Sequence, residues 1–264
     1  MTPSLHSDRW IDLDGVVNMR DLGGLPTRGG GHTAYGRLIR SDNLQDVTQA
    51  DVTRLVGELG VSDILDLRTE TELHAEGPGP LRAIESLTHH HHSLIERLSG
   101  GPRDAAAAGE AALAAQGRAR RDADFWADHY AGYLANRAEA VSGALAVVAG
   151  SRGATVVHCA AGKDRTGTVV ALALDTAGVE HDAIIEDYAL TAQRLEQIIE
   201  RLMGSETYAP ALRLQVLEDQ LPRPETMTAI LTMLARDHGG GREWLRAQGW
   251  SSEDVECLQR KLTD

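Results

Sequence analysis

Aromatic side chains are scarce in this 264-residue chain: they make up 4%, with a single Phe. An extended stacking wall for a flat substrate is therefore not expected, and Tyr35, Phe125 and Trp126 are the candidates for what stacking there is. Cysteine is nearly absent. Cys159 and Cys257 cannot make a disulfide framework, so a reducing compartment, the cytoplasm, is the simpler expectation. No run of about 18 apolar residues occurs, which argues against a transmembrane helix. The opening MTPSLHSDRWIDLDG lacks the apolar stretch of a secretory signal. Positive charge is in deficit: 26 Lys and Arg stand against 39 Asp and Glu, a net charge of −13. Such a surface repels nucleic acid and anionic membrane, so neither nucleic-acid binding nor stable membrane insertion is expected. An anionic substrate would have to be held by charge concentrated locally.

What is present suits a globular α/β protein. Apolar residues are 42% and charged residues 25%, and a chain of this length can bury a sizeable core without staples. No internal repeat or clear boundary is visible, so residues 1–264 read as one domain. Gly-rich residues 21–40 predict a hairpin around Gly29-Gly30-Gly31. A helix follows, capped by Thr48, with Val52, Leu55, Val56 and Leu59 at helical spacing and Gly60 just past its end. VSDILDLR reads as a strand, and residues 83–95 hold another. Residues 99–122 differ: nine of the fifteen from Ala105 to Ala119 are alanine, so the segment favours helix but has little to bury. It reads as an exposed helical insertion, a lid or a tolerated surface loop. Helical pattern runs from Phe125 to Val148, ATVVHC is a buried strand, and TGTVVALALDTAG is a buried helix ending at Gly178. The rest is helical, over 181–203, 208–220, 224–238, 241–248 and 251–262, with a capping box at Ser251 and Asp254 and with Cys257 reading as packing.

The chemistry concentrates in VVHCAAGKDRTG, Val156 to Gly167, a strand, a tight loop and a helix start. Cys159 precedes Arg165 by six positions. Amides at a helix N-terminus lack intrahelical acceptors and can hold an anion. The small residues Ala160, Ala161 and Gly162 let backbone wrap closely round it, and the planar fork of Arg165 suits two phosphate oxygens. A thiolate is also an anion, so donors that hold phosphate favour a deprotonated Cys159, an activated nucleophile at the base of an oxyanion cup. A buried structural cysteine would not need Lys163, Asp164 and Arg165 on the next turn. A Walker P-loop is excluded, because Val157 stands where it needs Gly and Asp164 where it needs Ser or Thr.

His158, Cys159, Gly162, Arg165, Thr166 and Gly167 resemble the HC-x5-R-[ST] loop of the cysteine-dependent protein tyrosine phosphatase family, and Lys163-Asp164 is similar to its atypical bacterial branch. Asn18-Met19-Arg20-Asp21-Leu22-Gly23-Gly24 resembles that branch's NFRDLGG, Arg40-Ser41-Asp42-Asn43-Leu44 its RSD-x-L, Asp66-Leu67-Arg68 with Glu72 its DLR…E, and Asp187-Tyr188 a DY pair after the active-site helix. These stretches span residues 10–264 in the family's order. The resemblance implies a three-layer α/β fold with a central, mostly parallel sheet, a helical lid insertion at 99–122 and a helical C-terminal part. It implies phosphomonoester hydrolysis through a cysteinyl-phosphate, on phosphotyrosine, phosphoserine/threonine or phosphoinositides, without metal or cofactor. Cys159 would be the nucleophile. Arg165 and the amides of Ala160, Ala161, Gly162, Lys163 and Asp164 would hold phosphate oxygens. Thr166 would donate to the leaving sulfur, and His158 would organise the loop.

The proton donor is less plain. That branch carries an Asp just after the strand at 83–92, where this chain has His91-His92-Ser93-Leu94. Asp164 is the first replacement, a histidine of 89–92 the second, and Asp66 the third. The run His89 to His92 tempts a metal assignment, but alternate residues of a strand face opposite ways, so at most two could share a metal and no metal site is expected. Lys163 could meet a second phosphate, and Arg20 and Arg40 could line the pocket or serve the fold. Two other functions compete: a non-catalytic phosphate-binding module, against which Cys159 and Arg165 together argue, and a rhodanese-type sulfur transferase, against which the Cys-to-Arg spacing and Thr166 argue.

Overall fold

Short apolar runs in the strands, whose successive residues face opposite ways, decide the architecture, in a computed structural model that describes residues 9–95 and 122–264. The chain forms β1 (Arg20–Asp21), β2 (Leu38–Ser41), α1 (Gln49–Thr53), β3 (Val61–Asp66), α2 (Glu70–Glu76), β4 (Thr88–His91), α3 (Ala123–Asn136), α4 (Ala138–Gly150) and β5 (Ala154–His158). Then come α5 (Asp164–Ala177), α6 (His181–Leu190), α7 (Leu195–Met203), α8 (Pro224–His238), α9 (Gly241–Ala247) and α10 (Ser252–Thr263). The sheet order is β1-β2-β5-β3-β4, with β1 antiparallel and the others parallel.

Leu38, Leu65 and Val157 belong to one core, built with α3, α4, α5 and the C-terminal helices. Their chain neighbours Ile39, Ile64 and Val156 belong to a second core, built with Val52, Leu55 and the N-terminal segment. The sheet is therefore buried on both faces, giving the three-layer α/β fold. A one-residue slip would exchange the two sets, each side chain being worth about 1.5–3 kcal/mol when buried, so register is strongly specified. That register aligns Ser41 with His158, His158 with Asp66, and Asp66 with His91. The C-terminal ends of four strands thus meet in one row, where parallel α/β sheets place their ligands.

Several predicted elements are present as drawn. Thr27 and Gly31 close the Gly-rich turn, Thr48 caps α1, though the helix continues past Thr53 as a π turn over Arg54–Glu58, and Ser251 and Asp254 form their capping box. Helix α5 is buried along its length from Arg165 to Ala177, as its lack of a polar face requires, and it ends on Gly178 at φ +85°. Others differ. The helix predicted from Phe125 to Val148 is two helices, because Arg137 leaves helical geometry and its guanidinium donates to the Ser93 carbonyl. The predicted 208–220 helix is only a turn at Ala209–Leu212 and a 3-10 turn at Leu217–Gln220. Leu214 and Val216 between them are exposed, so no buried face supports helix there. A 3-10 turn at Thr191–Arg194 interrupts the predicted 181–203 helix. Of the predicted 99–122 insertion, all but Asp122 lies outside the described residues.

Candidate active site

β5 delivers His158 and Cys159 to the row of strand ends, and α5 begins five residues later at Asp164. The connecting loop can close only with glycine at its bend. Gly162 has φ +66°, and a Cβ there would lie 2.3 Å from the Ser41 carbonyl oxygen. The loop's carbonyls are tied back from outside. Ala160 O accepts from the Asn43 amide at 2.9 Å, Ala161 O from Asn18 Nδ2 at 2.9 Å, and Gly162 O from Arg40 Nη2 at 2.7 Å. With those acceptors engaged elsewhere, the opening amides of α5 remain as donors for an anion.

Arg40 is itself held from behind. Asp187 on α6 binds Arg9 at 2.9 Å, Arg20 at 3.1 Å and Arg40 at 2.7 Å, all buried. Burial would raise the Asp187 carboxyl, but Arg20, Arg40 and Arg9 hold it well below the usual carboxylate range. Arg20 also donates to Asn18 Oδ1 at 2.7 Å. Arg20 and Arg40 thus brace the loop from beneath and leave three guanidinium charges on one carboxylate.

Arg165 is fixed by a bidentate pair with Glu72, Nη1 to Oε2 at 2.6 Å and Nη2 to Oε1 at 2.9 Å. Glu72 is the third residue of α2, and it closes a capping box with Thr69: the Thr69 amide donates to Oε2 at 2.7 Å. Burial opposes ionisation of Glu72, and Arg165 with the cap overcomes it and lowers its titration. The Arg165 N–H groups not used by Glu72 stay available to phosphate. Cys159 is 2% exposed and packs with core side chains. Its sulfur is nonetheless within electrostatic reach of the Arg165 guanidinium and the Tyr133 hydroxyl. The Thr166 hydroxyl is buried and has no hydrogen-bond partner among the described residues.

The three candidate proton donors stand in different surroundings. Asp66 accepts from Arg68 through both oxygens, at 3.0 and 2.6 Å, and lies 3.5 Å from His158 Nε2. Burial would raise its carboxyl, but His158 and Arg68 pull it well below the carboxylate range. His158 is pushed down to about 4 by burial, against the pull of Asp66, so its ring is neutral at neutral pH. The four histidines diverge. His89 contacts the Leu81 carbonyl at 3.1 Å, His90 the Asp63 carboxylate at 2.8 Å and His91 the Arg68 carbonyl at 2.7 Å. His92 packs against Gly143, where a Cβ would meet its ring at 2.6 Å. Among the described residues no group of three metal-capable side chains forms. Asp164 opens α5, its Oδ1 accepting from the Tyr130 hydroxyl with Lys163 Nζ at 3.4 Å. Lys163 is buried, donates to the Gln220 carbonyl at 2.8 Å and sits 4.5 Å above the Trp126 ring.

Sequence reasoning placed Cys159, Arg165, Asp164, Thr166 and the loop amides together, and the structure brings them onto one turn. It missed Tyr130 and Tyr133 of α3, which lie unremarked within the helical pattern from Phe125 to Val148. It noted Glu72 and Asp187-Tyr188 as motif residues without their partners. A polar cleft of about 620 Å³, lined by Asn43, Gln45, Glu76, Arg201, Ser205 and Thr207, includes no residue of the loop and meets it only through Asn43, whose amide holds Ala160 O.

A family model described as the tyrosine phosphatase family matches residues 11–264. The triple specificity protein phosphatase PtpB of Mycobacterium tuberculosis is 28% identical over 209 residues, 72% of this chain and 72% of its own length. A Cupriavidus necator protein whose name places it with the tyrosine-protein phosphatases is 32% identical over 219 residues, 79% of this chain and 73% of its own. The tyrosine-protein phosphatase of Nostoc commune is 28% identical over 231 residues, 85% and 74% of the two chains.

Proposed function

The chain belongs to the tyrosine phosphatase family and is a phosphoric monoester hydrolase, and from that premise we propose that it works through a cysteinyl-phosphate formed on Cys159. The sulfur attacks phosphorus, the bond to the leaving oxygen breaks, and Asp164 gives that oxygen its proton. Water then attacks the phosphocysteine, Asp164 takes the water's proton, and the thiolate leaves as inorganic phosphate forms. Arg165 and the amides of Ala160, Ala161, Gly162, Lys163, Asp164 and Arg165 hold the equatorial oxygens, where stabilisation is mainly electrostatic. Thr166, whose hydroxyl has no other partner among the described residues, donates to the departing sulfur. Lys163, enclosed between Gln220 and Trp126, adds positive charge from within the protein.

One observation carries this reading: the nucleophile and an Arg locked bidentately by Glu72 lie on a loop whose carbonyls are all held away. Asp66 and the histidines of 89–92 fit the donor role less well: Asp66 is a clamped carboxylate, His89 and His91 meet backbone carbonyls, His90 meets Asp63, and His92 packs on Gly143. The substrates we propose are phosphotyrosine proteins, with phosphoserine/threonine and phosphoinositides as further classes; a relative named for triple specificity supports a broad range. A second reading, a phosphate-binding module, is favoured by the 2% exposure of Cys159. Turnover of 4-nitrophenyl phosphate, phosphopeptides and a phosphoinositide panel separates the two. The enzyme reading expects turnover by the wild type and none by Cys159→Ser, which still binds vanadate. Binding without turnover in the wild type supports the module.

A further inference from the structure

The hydroxyls of Tyr188 and Tyr130, which the mechanism above does not use, form a continuous chain with the carboxylate of Asp164. Tyr130 is buried completely on α3, and its hydroxyl donates to Asp164 Oδ1. The Tyr188 hydroxyl, on α6, lies 2.8 Å from the Tyr130 hydroxyl. A carboxylate only accepts, so the Tyr130 proton points to Asp164 and Tyr188 must supply the proton of the second bond. Tyr188 is fixed in turn by close packing on Gly167 of α5, where a Cβ would lie 3.2 Å from its ring. The neighbouring Asp187 anchors Arg40 and through it the loop. One motif on α6 thus reaches the active loop by two routes, Asp187 through Arg40 and the Tyr188 hydroxyl through Tyr130.

We propose that Tyr130, held by Tyr188, is a positioning residue for Asp164: it occupies Oδ1, so that the transferable proton resides on Oδ2. The proposal rests on the reading of Asp164 as proton donor. Two contacts converge on Oδ1, from Tyr130 and from Lys163 at 3.4 Å. Oδ2 has no hydrogen-bond partner among the described residues. At a helix N-terminus a carboxyl can rotate about two side-chain torsions, and a single short aspartate stem does not select which oxygen faces the substrate. The buried phenol makes that selection without adding charge, since burial and then Asp164 keep Tyr130 protonated.

Tyr130→Phe removes one oxygen and keeps the ring in its core site. The test compares kcat/KM, which reports the first chemical step alone, for phenyl phosphate, whose leaving group needs a proton, and for 4-nitrophenyl phosphate, whose leaving group hardly does. The proposal expects about a tenfold loss of kcat/KM on phenyl phosphate and little loss on 4-nitrophenyl phosphate, as for a lost charge-assisted hydrogen bond. Tyr188→Phe, which keeps the Tyr130 hydroxyl but removes its support, gives a smaller loss of the same kind and serves if Tyr130→Phe does not fold. Combining Tyr130→Phe with Asp164→Asn adds no further leaving-group-dependent loss. Equal losses on both substrates, or additive losses in the double variant, overturn the proposal while leaving Asp164 in place. If Asp164→Asn itself shows no leaving-group dependence, the donor assignment falls and the proposal falls with it.

Discussion

Glu72 serves two neighbours with one carboxylate: it caps α2 through Thr69 and it clamps Arg165. Glu72→Gln keeps the shape but leaves a buried guanidinium without counter-charge. Breaking one side of a buried pair costs about 3–5 kcal/mol, and we expect urea denaturation to show a loss of that order. The same change frees Arg165 to wander from the phosphate, with kcat/KM down by about 10²-fold. His158 gives a pH signature. Its folded titration lies near 4 against about 6.5 for an unperturbed histidine. Between those values the unfolded chain takes a proton that the folded chain refuses, so stability falls as pH drops through that window, by on the order of 3 kcal/mol. His89 and His92, also pulled down by burial, act with the same sign. Melting temperatures from pH 7 to pH 4.5 should therefore decline, and His158→Gln should flatten the slope. Cys159, Arg165 and Asp164 were legible in the sequence because a tight loop fixes their spatial relation by spacing alone. Tyr130 was not, since it sits 34 positions from Asp164 and only the packing of α3 on α5 joins them.

At the scale of elements, the loop between β5 and α5 depends on one glycine. Gly162→Ala meets both a left-handed backbone and the Ser41 carbonyl at 2.3 Å. The loop must shift, its carbonyls lose the Asn18 and Arg40 contacts, and phosphate oxygens lose their amides. We expect a fall in kcat/KM of about 10²-fold with the far-ultraviolet circular dichroism of the wild type. The strands β3 and β5 could be read ahead because a short apolar run between turn residues is local information. Helix ends set by tertiary contact could not. Arg137 breaks the α3–α4 run by reaching Ser93, a residue 44 positions away, and the 208–220 segment has helical propensity but no surface on which to bury Leu214 and Val216. The DLR and DY motifs were visible as letters, yet their meaning as clamps for Arg165 and Arg40 needed the fold that brings α2 and α6 to the loop.

Across the whole molecule, a net charge of −13 opposes the anionic substrates that the loop attracts. Local charge decides the outcome: Arg9, Arg20 and Arg40 share one carboxylate beneath the loop, so the site is cationic inside an anionic surface. Repulsion over the approach is screened within about 10 Å at 0.1 M salt. We therefore expect KM for a phosphopeptide to fall as sodium chloride rises from about 0.01 to about 0.1 M, with kcat little changed. A rise in KM over that range would mean that steering by the local cations outweighs the surface. No helix among the described residues is long and apolar enough to cross a membrane. The central claim concerns a covalent bond, and rapid acid quench during turnover followed by intact-mass and peptide mass spectrometry observes it directly. The account predicts one phosphoryl group on Cys159, absent from Cys159→Ser and accumulating in Asp164→Asn when phosphocysteine hydrolysis is slowed. Steady turnover with the phosphoryl group on another residue, or on none, would contradict it.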